Sequence, residues 1–223
     1  MAVPNLASVS GITVGHATDA ARWTGCTVVL APPGGMRATA TLRGRATGTR
    51  ELDALTPRHV VGHVDALLLT GGSAFGMGAA DGVMRWVAER GRGFPVGRAR
   101  RVPIVPTAVI FDFDLAPDAA PRWPTADDAY RACDAASSDI PEGSVGAGTG
   151  ATVGKALRPH RAMKGGVGTW AERGGDVVVG LSWSSTRSVT CWTRPASVSP
   201  ARGDWRDGSC PSPLSLMGTS CSR

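Results

Sequence analysis

An α/β (α+β) fold is predicted by three features of this 223-residue chain. The run Val64-Asp65-Ala66-Leu67-Leu68-Leu69-Thr70 is apolar without alternation after its acid, as in a strand covered on both faces. Gly71-Gly72 breaks that run, and a helical apolar pattern begins at Ser73. The composition, 42% apolar and 19% charged with 30 Gly, describes a loop-rich globular chain. Such a length can bury a core as one large domain.

The elements follow in order. Residues 11–15 and 26–30 read as strands, and 64–70 as a central one. Residues 73–90 read as a helix with Phe75, Ala79, Val83, Trp86 and Val87 on one apolar face, stopped by Gly91-Arg92-Gly93. Residues 102–111 are strand-like despite two prolines, and Asp112 follows them. Thr125-Ala126-Asp127-Asp128 resembles a capping box with Asp in the Glu position, opening a helix to about residue 137. Residues 176–181 begin another buried strand.

Candidate chemistry concentrates where a strand meets a turn. Gly71 and Gly72 allow a close backbone approach to a ligand, and Ser73 is a candidate N-cap that leaves free amides above the turn. A plain packing turn satisfies the same residues. Asp112 is placed to meet a substrate ammonium, or it is a strand-end cap or a solvated acid. The run Gly146-Ala147-Gly148-Thr149-Gly150 borders a pocket or forms a tight structural loop. It is no P-loop, because Thr149 and Ala156 stand where Gly and Ser or Thr are needed. It also lacks the strand and acid of a dinucleotide site. His59 and His63 have helical metal-pair spacing, but Val60-Val61-Gly62 supplies no Glu. These and the isolated His16 and His160 read as ordinary histidines. Arg50 and Glu51, after Gly48-Thr49, hold a pocket wall or pair on a loop.

Charge and cysteine usage exclude several classes. The net charge is +6, yet residues 182–223 hold half of it and no basic run exists, which argues against nucleic acid as a partner. No apolar run approaches the roughly 20 residues of a membrane span, and Met1-Ala2-Val3-Pro4-Asn5 lacks a signal-peptide pattern, so a cytoplasmic location is expected. Of five Cys, Cys26 and Cys133 fall in apolar elements without metal-ligand spacing and read as buried free thiols.

The character of the chain changes near Leu181. Of 17 Ser, 11 follow Leu181, and Ser182-Trp183-Ser184-Ser185-Thr186-Arg187 has neither strand alternation nor a helical face. With 22 Arg against two Lys, the gene is expected to be GC-rich. Reading residues 181–196 one base out of register, with TCN for Ser and CGN for Arg, gives Val-Val-Val-Val-Asn-Ala-Val-Gly-Asp-Val-Leu-Asp-Pro-Ala. That is an apolar strand and a Gly-Asp turn, which residues 176–181 lead into. The expectation is therefore an ordered part, 1–181, and a frameshifted, poorly ordered tail, 182–223.

The ordered part resembles the self-processing L-aminopeptidase/D-esterase family, which includes the β-peptidyl aminopeptidases. The carriers are Gly11-Ile12-Thr13-Val14-Gly15-His16, Gly48-Thr49-Arg50-Glu51, Leu69 to Gly76 with Ala79-Ala80-Asp81-Gly82-Val83, and Val102-Pro103-Ile104-Val105-Pro106. Ile110-Phe111-Asp112, Gly146 to Lys155 and Met163-Lys164-Gly165-Gly166 complete the set. The resemblance implies a four-layer αββα sandwich, incomplete here on its C-terminal side, shared in outline with ornithine acetyltransferases. It implies hydrolysis of N-terminal amide or ester bonds of a small peptide, amino-acid amide or ester, without metal or organic cofactor. The nucleophile is a Ser or Thr freed by self-cleavage, whose α-amine is a suitable base. An Asn amide stabilises the oxyanion. The family forms oligomers of αβ units. Gly71, Gly72, Ser73 and Phe75 are expected to line the pocket, with Asp112, Gly146, Gly148 and Gly150 beside it. The Asn falls across Ser185 and Thr186 in the shifted register, so no catalytic residue is assigned in this translation. The alternatives are a non-catalytic fragment, a partner of a separate β chain, or an acyltransferase of the related fold.

Overall fold

Apolar, β-branched stretches form the strands, and their hydrogen-bond register sets the sheet order. The computed structural model describes residues 4–43, 47–98, 100–113, 122–154 and 162–184, together with the backbone of 187–193. In chain order it has strands β1 (Thr13–Asp19), β2 (Thr24–Leu30), β3 (Thr49–Arg50) and β4 (Ala66–Thr70). A 3-10 segment, Ser73–Ala79, leads into helix α1 (Ala80–Glu89). Strands β5 (Phe94–Val96), β6 (Arg100–Val102) and β7 (Thr107–Val109) precede helix α2 (Ala126–Asp134). Strands β8 (Thr152–Val153), β9 (Met163–Lys164), β10 (Val167–Gly174), β11 (Val177–Ser184) and β12 (Arg187–Thr193) follow.

The main sheet has the order β1-β2-β4-β7-β3. Its neighbours are antiparallel except β4 and β7, which run parallel with Leu68 opposite Thr107. Every residue of β2 is buried, because layers cover both faces of the sheet. Cys26, Val28 and Leu30 face Ala80, Val83 and Val87 of α1 and Ala129, Ala132 and Cys133 of α2. On the opposite face Val14 and Val29 meet Leu6, Val9 and Val178, the last from the second sheet, β10-β11-β12. Leu69 and Ile110 meet Ala147, Ala151 and Val167 there. Each wholly buried Val or Leu contributes about 1.5–3 kcal/mol of transfer free energy. The described residues thus supply one helical and two sheet layers of an α+β sandwich.

Local signals hold with three adjustments. Strand 11–15 is displaced to Thr13–Asp19, since Gly11 turns with a positive φ against Pro32. Residues 102–111 do not form one strand: Pro103 and Pro106 lack ladder donors, so Val102 ends β6 and only Thr107–Val109 joins the main sheet. The helix expected over 73–90 divides, with α-helical bonding starting only at Ala80. The capping box forms as expected: the Thr125 N–H donates to Asp128 Oδ2 at 2.8 Å and the Asp128 N–H donates to Thr125 Oγ1 at 3.3 Å.

Strand β11 carries on through Ser184, three residues beyond Leu181 and in register with β10, where Val167 stands opposite Ser184. The expected boundary at Leu181 therefore falls inside a strand. Alternation turns Val178, Gly180, Ser182 and Ser184 inward, and Val179 and Trp183 outward. Ser182 and Ser184 are 1% and 2% exposed. Ser182 Oγ donates to the Gly168 carbonyl at 3.2 Å, whereas Ser184 Oγ is buried without a partner. Residues 194–223 of the expected tail lie outside the described residues.

Candidate functional site

The C-terminal ends of parallel β4 and β7 lie side by side, a usual place for chemistry in sheets of this kind. The chain leaves β4 through Gly71-Gly72 and leaves β7 through Ile110-Phe111-Asp112, with the Ile110 N–H donating to the Thr70 carbonyl at 2.8 Å. Asp112 is only 3% exposed and turns inward. Its Oδ1 accepts the Gly72 N–H at 2.7 Å, and its Oδ2 accepts the Thr24 hydroxyl at 2.8 Å. A Cβ on Gly71 would collide with Asp112 Oδ2 and Thr24 Oγ1. Gly150 packs as closely against Asp112 Cβ and the Trp23 carbonyl. Gly71, Gly72, Asp112 and Gly150 therefore converge on one buried hub. There Asp112 caps the ends of strand and turn and is too buried to be a solvated acid.

Ser73 does not cap a helix. Gly72 occupies that position in the left-handed region at φ 77°, and Ser73 also has a positive φ, 51°. The Ser73 N–H donates to the Ile110 carbonyl at 3.0 Å, while the Phe75 and Gly76 amides donate to the Gly72 carbonyl. The turn thus consumes amides that a free helix end would have offered to an anion. Phe75 also leaves the expected apolar face. It is 60% exposed and stacks on Trp123, with ring centroids 4.4 Å apart and planes 19° from parallel. Val83 and Val87 are core, and Trp86 is half-buried with its indole N–H donated to Asp134 at 2.7 Å.

The glycine loop is a second buried junction. Gly146, Ala147, Gly148 and Gly150 are all buried. Gly146, at φ 50°, sits where a Cβ would strike Thr27 Oγ1 and His16 Nδ1. The Gly146 N–H donates to Thr18 Oγ1 at 2.8 Å, and the Ala147 N–H to Thr27 Oγ1 at 3.0 Å. His16 Nδ1 lies 2.8 Å from the same Thr27 hydroxyl. Burial pulls the His16 imidazole below its ordinary 6.5, with the Pro141 carbonyl opposing. Lys164, absent from the expected site, clamps the loop from outside: its Nζ donates to the carbonyls of Gly148 at 2.7 Å and Gly165 at 2.6 Å. Its desolvation lowers the ammonium pKa.

A cleft of about 420 Å³ opens between the end of β1, the segment 122–125 and α2. Its wall includes His16, Thr18, Thr24, Arg122, Trp123 and Arg131. None of the eight residues expected from sequence lines it. Thr24 and Trp123 connect it to the hub, because Trp123 presses its Cα and Cβ onto Gly72. No local pattern marks Thr24 or Trp123, whose importance arises from contacts across the sheet.

His160 lies outside the described residues, and Arg50, Glu51 and His59 make local contacts. Arg50 Nη1 pairs with Asp81 at 2.7 Å, and Glu51 accepts the Val105 N–H at 2.8 Å. His59 Nδ1 accepts the Val61 N–H at 3.2 Å. Cys26 and Cys133 are buried free thiols; burial raises both, Cys133 to about 12. Among the described residues, no group of three His, Cys, Asp or Glu gathers as a metal site would require, and no helix is long and apolar enough to cross a membrane.

Comparison with solved structures places the architecture. A protein of Pyrococcus horikoshii OT3 is similar with a TM-score of 0.63 and 23% identity, over 80% of this chain and 52% of that one. A β-aminopeptidase of Burkholderia sp. is similar with a TM-score of 0.59 and 21% identity, over 81% and 51%. The L-aminopeptidase D-Ala-esterase/amidase of Ochrobactrum anthropi, a variant of the Ntn hydrolase fold, gives 0.58 and 19%, over 82% and 53%. The fold is thus of the Ntn-hydrolase-like α+β class. Residues 5–181 match the model of peptidase family S58, and the chain belongs to that family of L-aminopeptidases/D-esterases and β-aminopeptidases. An uncharacterized aminopeptidase of Mycobacterium tuberculosis (strain ATCC 25618 / H37Rv) is 49% identical over 176 residues, covering 74% of this chain and 47% of the relative. One of Mycobacterium leprae (strain TN) is 46% identical over 187 residues, covering 76% and 49%. The chain spans about half the length of the curated relatives it matches.

Proposed function

We propose that this chain is the N-terminal part of an aminopeptidase that hydrolyses N-terminal amide or ester bonds of small peptides and amino-acid derivatives. In the complete reaction a Ser or Thr hydroxyl attacks the carbonyl before it and forms an ester. Water hydrolyses that ester, and the hydroxyl residue becomes a new N-terminus. Its amine, with an ordinary pKa of roughly 7.7–8.0, then takes the hydroxyl proton when substrate is attacked. An amide donor holds the oxyanion. The buried hub and glycine loop supply a rigid wall for that site. In this translation the register departs from the family at Leu181, so neither the oxyanion Asn nor the nucleophile is assigned and the chain is inactive by itself.

The observation that carries the register change is Ser184. It occupies an inward strand position, 2% exposed, with its hydroxyl unpaired, where the shifted frame writes one of four Val across residues 181–185. A buried unpaired hydroxyl destabilises a sheet that a Val would stabilise. Purified chain is expected to release no chromophore from p-nitroanilides of small amino acids, and mass spectrometry to find it uncleaved. Turnover, or a fresh Ser or Thr terminus, would refute the proposal. Peptides covering 182–223 establish the register actually translated.

A further inference from the structure

We infer that the cleft between β1 and α2 binds a short peptide through its free C-terminal carboxylate and an aromatic side chain. The inference rests on the peptidase reading above and adds to it the ligand class. The volume, about 420 Å³, lies within the range of roughly 300–1,000 Å³ of small-ligand sites. Three guanidinium groups line it, and two are already matched. Arg22 pairs with Asp19 at 2.8 Å, and Arg131 pairs with Asp128. Arg122 lines the same cleft, is exposed, and has no acid or hydrogen-bond partner among the described residues. One positive charge is therefore uncompensated, and its planar fork fits a carboxylate. Thr18 Oγ1 accepts the Gly146 N–H, which leaves its own proton to donate into the cleft.

Two further observations narrow the ligand. Asp19 and Asp128 neutralise Arg22 and Arg131, so the wall carries one net positive charge, which a single carboxylate matches and a dianion such as phosphate exceeds. The same two acids suit a zwitterion, whose ammonium finds their spare lone pairs. Beside Arg122, Trp123 presents an indole backed by the exposed Phe75 ring and pinned on Gly72. Phe75 covers one face of the indole, and with the residue still 38% exposed, its remaining apolar surface favours stacking of an aromatic group at little entropic expense.

Titration calorimetry with the full chain tests this, using L-alanyl-L-phenylalanine, its C-terminal amide, L-alanyl-L-alanine and inorganic phosphate. The acid is expected to bind saturably and roughly tenfold tighter than the amide, the loss typical of one charge-assisted hydrogen bond. L-Alanyl-L-alanine is expected to bind more weakly than the phenylalanyl dipeptide. Arg122→Gln should reduce the acid to the affinity of the amide while leaving the amide unchanged, a split that general loosening of the fold would not produce. Circular dichroism verifies that this exposed substitution leaves the fold intact. Equal affinity of acid and amide, no saturable binding, or tighter binding of phosphate overturns the inference and leaves the proposed function standing. Turnover of a p-nitroanilide by the same preparation overturns the inactivity and leaves the ligand class standing.

Discussion

Removing the Asp112 carboxylate is the sharpest test of the hub. In Asp112→Ala the Gly72 N–H and the Thr24 hydroxyl lose an acceptor at 2.7 and 2.8 Å in a site that is 3% exposed. Each orphaned buried donor costs about 1–3 kcal/mol. Relief of the carboxylate's own desolvation offsets part of the sum. A net loss of about 2–4 kcal/mol is expected, against a typical total of roughly 5–15 kcal/mol. At roughly 2–4 °C per kcal/mol for a unit of this size, Tm should fall by about 4–16 °C. Asp112→Asn keeps an acceptor for Gly72 and turns its amide toward Thr24 Oγ1, so it should lose only about 1–2 kcal/mol. Urea unfolding followed by circular dichroism ranks the three proteins, and hydrogen exchange at the Gly72 amide should accelerate most in the Ala variant. An Ala variant within about 0.5 kcal/mol of the parent, or an Asn variant as damaged as the Ala one, would refute the reasoning.

Ser184→Val should raise stability by about 1–2 kcal/mol, because it replaces a buried unpaired hydroxyl with apolar volume in a strand. Thermal unfolding reads this as a rise in Tm, and a fall would count against the register change as well as the packing argument. His16 is depressed below 6.5 by burial, so the unfolded chain takes up its proton first as the medium is acidified. Stability should therefore decline from about pH 7 downward, through 6.5 to the folded-state value, and His16→Asn should flatten that decline between pH 7.5 and 5.5. An unchanged slope in the variant would sink the assignment.

Short-range patterns account for what was legible. The non-alternating stretch 64–70 marked β4 as a central, covered strand, 26–30 read as the strand β2, and Thr125 with Asp128 marked the start of α2. The start of the first helix was misplaced because Ser73 shares its segment with Gly76 and Gly78. These weaken α-helical order, while Gly76 must approach the Gly71 carbonyl. Phe75 matched the helical period yet points outward, since the 3-10 turn rotates it away from the axis of α1 and Trp123 offers it a stacking partner. The glycines at 71, 72 and 150 stood out as positions of close approach, and the structure packs them against Asp112, Trp123 and the Trp23 carbonyl, contacts that no local pattern marks.

The sequence by itself determined strands β2 and β4, the capped helix, the family and the change of character at Leu181, because periodicity, capping and residue order act between near neighbours. Only the tertiary structure decided that Asp112 faces inward and that Arg122 and Trp123 share a cleft. Thr24 lies 88 positions from Asp112, and Gly72 lies 40. Contacts at such separations are set by how strands β2, β4 and β7 register against one another, a property carried by no single segment.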